Sequence, residues 1–258
     1  MKKVWNQILS RGIDLSGLVG FFFLWEFVPR LGLVNEQFIP PLSKVLLYLW
    51  KLASDGSLFI HTAASLQRMG LGLCLAILIG VPLGMFLGGA ASPTFSKQLK
   101  PLLKILGQIN AFSLFPLFIL FFGIGEFAKI AIIFWSTVWP VLFTTILGVQ
   151  QVDPLYIKSA RSIGADRLTI FRKVILPGAA PVIFTGIRSG ATQAFLMLMA
   201  AEEVGAKAGL GWVILNSAVN SIMPRLFAAA IVIAILGLAI NYFILFLEHT
   251  IIDWNPEP

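Results

Sequence analysis

Across 258 residues the chain has one cysteine, two histidines and few charges, with Asp, Glu, Lys and Arg together making up 12%. One cysteine, Cys74, excludes a disulfide framework. With His61 and His249 as the only histidines, there is no Cys/His cluster of metal-binding spacing. An intramembrane serine protease is excluded on the same ground, because His61 lies at the edge of an apolar run and His249 near the C-terminus, so neither faces a serine within a bundle. No Gly-x-x-x-x-Gly-Lys-Ser/Thr loop occurs, so the chain does not supply that phosphate-binding machinery itself. Soluble domains carry about 25% charged residues, roughly twice what is present here.

What is present is hydrocarbon. Apolar residues make up 58% of the chain and the mean hydropathy is +0.89. Apolar runs of about 20 residues recur, the length that crosses a bilayer. The composition predicts an all-α polytopic membrane protein, a single membrane domain over 1–258. The net charge of +7 does not point to nucleic acid. The basic residues sit beside the apolar runs, as the bias of cytoplasmic loops toward Lys and Arg produces.

About six transmembrane helices are expected. The first, over 15–34, follows a basic segment with Lys2, Lys3 and Arg11; no small-residue cleavage pattern follows it, which favours a span over a signal peptide. Pro40-Pro41 then opens, and Asp55-Gly56 closes, a shorter helix with Val45, Leu46, Leu49 and Leu52 at helical spacing. Such a helix lies in the membrane interface with Tyr48 and Trp50 at headgroup level, so 1–61 reads as a span plus an interfacial helix. The second span, 63–90, brings Gly70, Gly72, Gly80, Gly84 and Gly88 to a packing face. Further spans are expected over 105–124, 127–149, 181–203 and 226–247. With both termini cytoplasmic, 11 of the 19 basic residues fall in cytoplasmic segments, six outside, and Arg68 and Arg188 within spans.

The longest polar interruption is DPLYIKSARSIGADRLTIFRKVILPGAAP, residues 153–181. Asp153 and Pro154 form a helix entry, Gly164 a stop, and Asp166 a second entry. Two short helices meeting at an angle are predicted. Tyr156, Ile157, Ala160 and Ile163 fall on one side of the first, and Leu168, Phe171, Val174 and Ile175 form the apolar face of the second. Ala160, Gly164 and Ala165 make a corner of small residues. From these features alone the stretch is either a docking element for another protein or a solvated loop folded back on its own helices.

Polar residues within spans are expensive and default to functional hypotheses. Gln108, Asn110 and Ser113, then Ser136 and Thr137, then Thr192 and Gln193 are candidates for lining a pathway; interhelical hydrogen bonds are the competing reading of each. Arg188 either snorkels to the cytoplasmic side or attracts an anion. Its spacing from Glu202, roughly 21 Å of helix rise, forbids a direct ion pair between them.

The pattern SARSIGADRLTIFRKVILPGAAPVIFTGIRSGATQAFLMLMAAEEVGAKAGLG resembles the signature region of permease subunits of binding-protein-dependent type I ABC importers, and more narrowly the nitrate, sulfonate, taurine and bicarbonate branch. FPLFILFFGIGEFAKI at 115–130, Ala201-Glu202 leading to GLGW at 209–212, and the stretch Glu248 to Trp254 are similar to that branch as well. The resemblance implies a permease core over 62–250 with a cytoplasmic coupling loop at 153–175. It implies that Tyr156, Ala160, Arg161, Gly164, Ala165, Leu168 and Phe171 meet a cytosolic ATPase. Gln108, Asn110, Ser113, Ser136, Thr137, Arg188 and Gln193 would face the pathway. Glu202 and Glu203 would anchor an external gate by hydrogen bonds to backbone or to Arg225. Two ATPase copies binding ATP and Mg, a second permease copy and an external solute-binding protein are the implied partners, and the bacterial inner membrane the implied location. No cofactor and no catalysis are expected in this chain. Two departures stand out: Lys158-Ser159 where the family usually has Glu, and Asn110 where relatives often have Pro. An ion-gradient-driven transporter would need paired intramembrane carboxylates or unwound helices in two repeated halves. Neither pattern is present in the sequence.

Overall fold

The computed structural model describes residue 17 and residues 19–90 and 93–252. The basic N-terminal segment with Lys2, Lys3 and Arg11, the start of the expected first span, and the tail from 253 lie outside the described residues. Those described are helical, with no strand among them. In chain order the helices are α1 (19–30), α2 (Leu42–Ser54), α3 (Ser57–Met85, prolonged by a π-turn Phe86–Ala90), α4 (Pro93–Gln108), α5 (Ala111–Phe122) and α6 (Glu126–Gln151). Then follow α7 (Pro154–Ser162), α8 (Arg167–Ile170), a π-turn Phe171–Ile175, α9 (Leu176–Glu203), α10 (Leu210–Val219) and α11 (Met223–Ile251).

Among the described residues, four helical runs are long and apolar enough to cross a membrane: Ser57–Gly89, Glu126–Gln151, Arg167–Glu203 and Met223–Ile251. A fifth crossing arises if α4 and α5 count as one span, but they meet at 88°. The continuous span expected over 105–124 is therefore corrected to a broken one. Asn110 is the cause that the sequence supplies: its side chain accepts from the Phe112 N–H at 2.9 Å, capping α5 and starting a new helix direction. The fifth expected span is also longer than predicted. Instead of beginning at 181 it runs from Arg167 through the π-turn to Glu203 without a break.

The described residues form two compact units. In the unit made of residues up to 61 and 213–233, Val45, Leu52 and Ala228 form a buried core. There Trp25 donates from Nε1 to the Pro40 carbonyl at 3.2 Å, and Glu26 accepts from the Ser43 backbone and hydroxyl at 2.9 and 3.0 Å.

The unit made of the described residues of 62–212 and 234–252 is built on α6. The glycines of α3 meet it in a constant register, Gly72 on Ile133, Gly80 on Val141, Gly84 on Thr145 and Gly88 on Val149, so the two helices run parallel. Each step is 61 residues, which only a parallel pair produces. On the other side, Gly148 faces Val182, Gly186 faces Thr144 and Gly190 faces Val141, the falling register of an antiparallel pair with α9. Both contacts place a missing side chain against a helix backbone or a β-branched neighbour, the close approach that small residues allow in lipid. A Cβ at Gly186 would lie 2.7 Å from Thr144 Cβ. Gly186→Ala is expected to destabilise by about 1–3 kcal/mol through overpacking, read as a lower midpoint of thermal unfolding in detergent.

Candidate functional site

Three features lie along α6, at its start, its middle and its end. At the start, α3, α6 and α9 bring ionised groups together. Arg68 of α3, whose side chain is only 7% exposed, donates from Nη1 to Glu202 Oε1 at 2.6 Å and to the Ala208 carbonyl at 2.6 Å. Its Nε and Nη2 form a two-pronged pair with Glu126. Ser65 Oγ sits between the Glu202 oxygens, at 2.8 and 2.9 Å, and accepts from the Leu210 N–H at 2.9 Å. Glu202 Oε2 accepts from the Gly211 N–H at 2.9 Å. Lys129, also buried, stands 3.5 Å from Glu126 and from the Gly205 carbonyl.

Two cations and two carboxylates thus compensate one another in a place where an unpaired charge would be prohibitive. The helix ends add to this: Glu126 opens α6, where the dipole favours an anion, and Glu202 closes α9, where it disfavours one and Arg68 offsets it. Gly209 has φ +129° and its missing side chain would fall on the Glu202 carboxylate, so the 204–209 loop is tied down by a position open only to glycine. Of the partners expected for Glu202, the backbone is found in the Gly211 N–H, and its side-chain partners are Arg68 and Ser65. Glu203, grouped with it from the sequence, points to the surface. Lys129 is buried at the head of α6.

Halfway along α6, at the elbow between α4 and α5, is a cavity of about 590 Å³. Its polar lining is Gln108, Asn110, Ser136 and Gln193, and Trp135 and Trp139 form a wall, their rings edge to face at 5.0 Å. Among the described residues no charged side chain lines it. Residues 135–140 lie about 10–14 residues into α6, roughly 15–20 Å from its start, near the middle of a membrane-spanning length. Four of the seven expected pathway residues therefore share one cavity. The other three do not. Ser113 is on an exposed face of α5, and Thr137 is fully buried; its hydroxyl donates to the Ile133 carbonyl at 2.7 Å, as that of Ser136 does at 2.8 Å. Arg188 lies 3.8 Å from Glu248 and, with Thr192, lines a separate cavity of about 200 Å³.

The loop following α6 has the predicted cap and hinge. Asp153 Oδ1 accepts from the Leu155 N–H at 2.8 Å, Gly164 takes φ +81°, and Asp166 accepts from the Thr169 N–H at 3.3 Å. The predicted single apolar face of α7 is not formed. Ile157 packs inward on the cluster of Val149, Val152 and Ala179, while Leu155, Tyr156 and Ile163 stand 63%, 65% and 86% exposed. Leu168 is exposed as well, Arg161 and Gly164 are at the surface, and Ala160, Ala165 and Phe171 are half-buried. Nor is the second element a separate short helix, since it runs on into α9. Hydrogen bonding from Thr169, its hydroxyl first and then its backbone N–H, holds the Asp166 carboxyl below the usual carboxylate range. A depressed value means that the cap's contribution is complete above the unfolded pKa, about 4, and is lost as pH falls through the folded one. Asp166→Ala is expected to weaken the cap at neutral pH and to abolish that acid dependence. Hydrogen exchange at residues 167–170 measures both.

Residues 80–253 match the family described as "Binding-protein-dependent transport system inner membrane component". The chain belongs to this family. Among relatives of this permease, the taurine transport system permease protein TauC of Escherichia coli K12 is 34% identical over 98% of the chain and 94% of its own length. The bicarbonate transport system permease protein CmpB of Synechococcus elongatus is 31% identical, covering 97% and 93%. The nitrate import permease protein NrtB of Leptolyngbya laminosa is 31% identical, covering 77% and 71%. The fold of the permease is that of an inward-facing MetNI methionine ABC transporter chain, with a TM-score of 0.60 at 19% identity over 74% of this chain and 92% of the other. A chain of an amino acid ABC transporter gives 0.59 at 18%, over 80% and 97%. The nitrate, sulfonate, taurine and bicarbonate branch expected from the motifs is the one these relatives represent.

Sequence reasoning noted Arg68 only as a cation within a span and passed over Glu126, Ser65 and the two tryptophans. Arg68 carried a usable signal, being a cation inside an apolar run. Its pairing carried none, because Glu126 and Glu202 lie 58 and 134 residues away.

Proposed function

We propose that the chain, as a homodimer, forms the translocation pathway of an ABC importer for a small oxyanion of the sulfonate, nitrate or bicarbonate type. Two cytosolic ATPases, which bind ATP and Mg, dock on the 153–175 loops, and an external binding protein delivers the solute. The chain is placed in the bacterial inner membrane with both termini cytoplasmic and holds no cofactor of its own.

The observation that carries this reading is the unbroken helical run from Arg167 to Glu203. One end is the exposed loop hinged at Gly164, Gln193 about two-thirds of the way along lines the central cavity, and Glu202 at its far end holds the Arg68 network. A displacement of the loop by a partner is therefore delivered along a stiff rod to the cavity and to the opposite closure. Neutral amides and hydroxyls at the cavity suit a solute that must leave again, since a fixed cation would hold an anion too firmly. The names of the taurine, bicarbonate and nitrate relatives support the oxyanion class.

The test is reconstitution of the chain with its ATPase and binding protein in proteoliposomes. Uptake of labelled taurine, nitrate or bicarbonate should require internal or external ATP on the ATPase side and the loaded binding protein. Uptake that persists without any ATPase contradicts the reading, and identification of a non-anionic ligand on the binding protein contradicts the cargo alone.

A further inference from the structure

A cavity of about 640 Å³ lies between the 153–175 loop and the ends of α3 and α6. Arg161 and Arg167 line it together with an apolar wall that includes Met85, Val149, Ile157 and Phe171. Three facts define what it suits. Neither arginine has a carboxylate partner among the described residues, and no Asp or Glu lines the cavity. Gly88 and Gly89 end one apolar run and Val149 and Gln150 another, and all four line the cavity, so it lies where hydrocarbon gives way to the polar loop. Its volume is within the range of about 300–1,000 Å³ that takes a small-molecule group.

We infer that this cavity holds the headgroup phosphate of an anionic phospholipid such as phosphatidylglycerol, with Arg161 and Arg167 as its ligands and the apolar wall against the first part of the acyl chains. Guanidinium groups bind phosphate through paired N–H donors, and basic pockets at the membrane surface select anionic headgroups. The apolar wall favours the lipid over a free phosphate, which would leave that surface wet. The position also gives the lipid a consequence. It bridges the ends of α3 and α6 to α7 and α8, the elements that the loop must move together. The inference requires only that the long apolar helices cross a bilayer, so it stands or falls separately from the cargo and from the ATPase.

The test uses the full chain purified in mild detergent, with native mass spectrometry and thermal unfolding as readouts. Phosphatidylglycerol is expected to remain bound and to raise the unfolding midpoint, whereas phosphatidylcholine and inorganic phosphate are not. Arg161→Gln/Arg167→Gln should lose phosphatidylglycerol by about thirtyfold in affinity. Arg161→Lys/Arg167→Lys, which keeps both charges, should retain most of it and controls for misfolding. Equal stabilisation by inorganic phosphate overturns the lipid assignment. So does retention of phosphatidylglycerol by the Gln variant, including the case in which that variant loses only the ATPase and the arginines are partner contacts.

Discussion

Glu202→Ala is expected to destabilise the protein by about 3–5 kcal/mol, because it leaves Arg68 charged, buried and without its one fully buried partner. Two further groups lose their acceptor at the same time, the Ser65 hydroxyl and the Gly211 N–H. Glu202→Gln keeps the shape and one acceptor, and should be less severe but still damaging. The diagnostic variant is the pair Arg68→Met/Glu202→Leu. Removing both charges leaves nothing unpaired between them, so the double variant should be more stable than either single one, the non-additivity of a coupled site. Glu126 is half-exposed, at 55%. Its replacement by Gln should therefore cost much less than that of Glu202, since water can take up part of the lost pairing. Thermal unfolding of the purified chain measures all four. A Glu202→Ala protein as stable as the parent would mean that Arg68 finds another partner and that the network does not hold the 204–211 segment.

Gly164→Val is expected to reduce ATP-driven uptake by about five- to thirtyfold while leaving the spans folded. The left-handed conformation at φ +81° costs a β-branched residue about 1–2 kcal/mol, which sets that range. An added Cβ meets nothing within 4 Å, so the effect in the free chain is one of backbone angle and not of collision. Gly164→Asn separates the two causes, since asparagine tolerates this conformation. If the angle between α7 and α8 is what matters, Asn retains most of the uptake. If close approach of the partner matters more, Asn fails along with Val although the isolated chain is unchanged.

The features that were legible in the sequence are those set by local chemistry. Asp153-Pro154, Gly164 and Asp166 mark a cap, a hinge and a second cap wherever the loop sits, and all three act as such. The glycines of α3 announce a close helix contact, though nothing in the spacing says that its partner is α6 in parallel register. Asn110 shows the limit of hydropathy reading. Residues 105–124 average out as one apolar stretch, and a single capping side chain turns the helix by 88°. The inward turn of Ile157, away from Tyr156 and Ile163, follows from tertiary contact with Val149 and Val152, which a helical wheel of α7 cannot contain. The Arg68 network was the least legible part, because its members come from three helices and its existence depends on their packing.

Ile163, the most exposed apolar residue of the loop, offers the most direct measurement of the coupling claim. With Cys74→Ser as background, Ile163→Cys in the assembled complex should form a disulfide or bifunctional-reagent adduct with the ATPase subunit, and its yield should change between the nucleotide-free and ATP-bound states. Absence of any adduct with the ATPase from position 163, in a complex that still transports, would contradict the assignment of 153–175 as the element through which ATP drives the pathway.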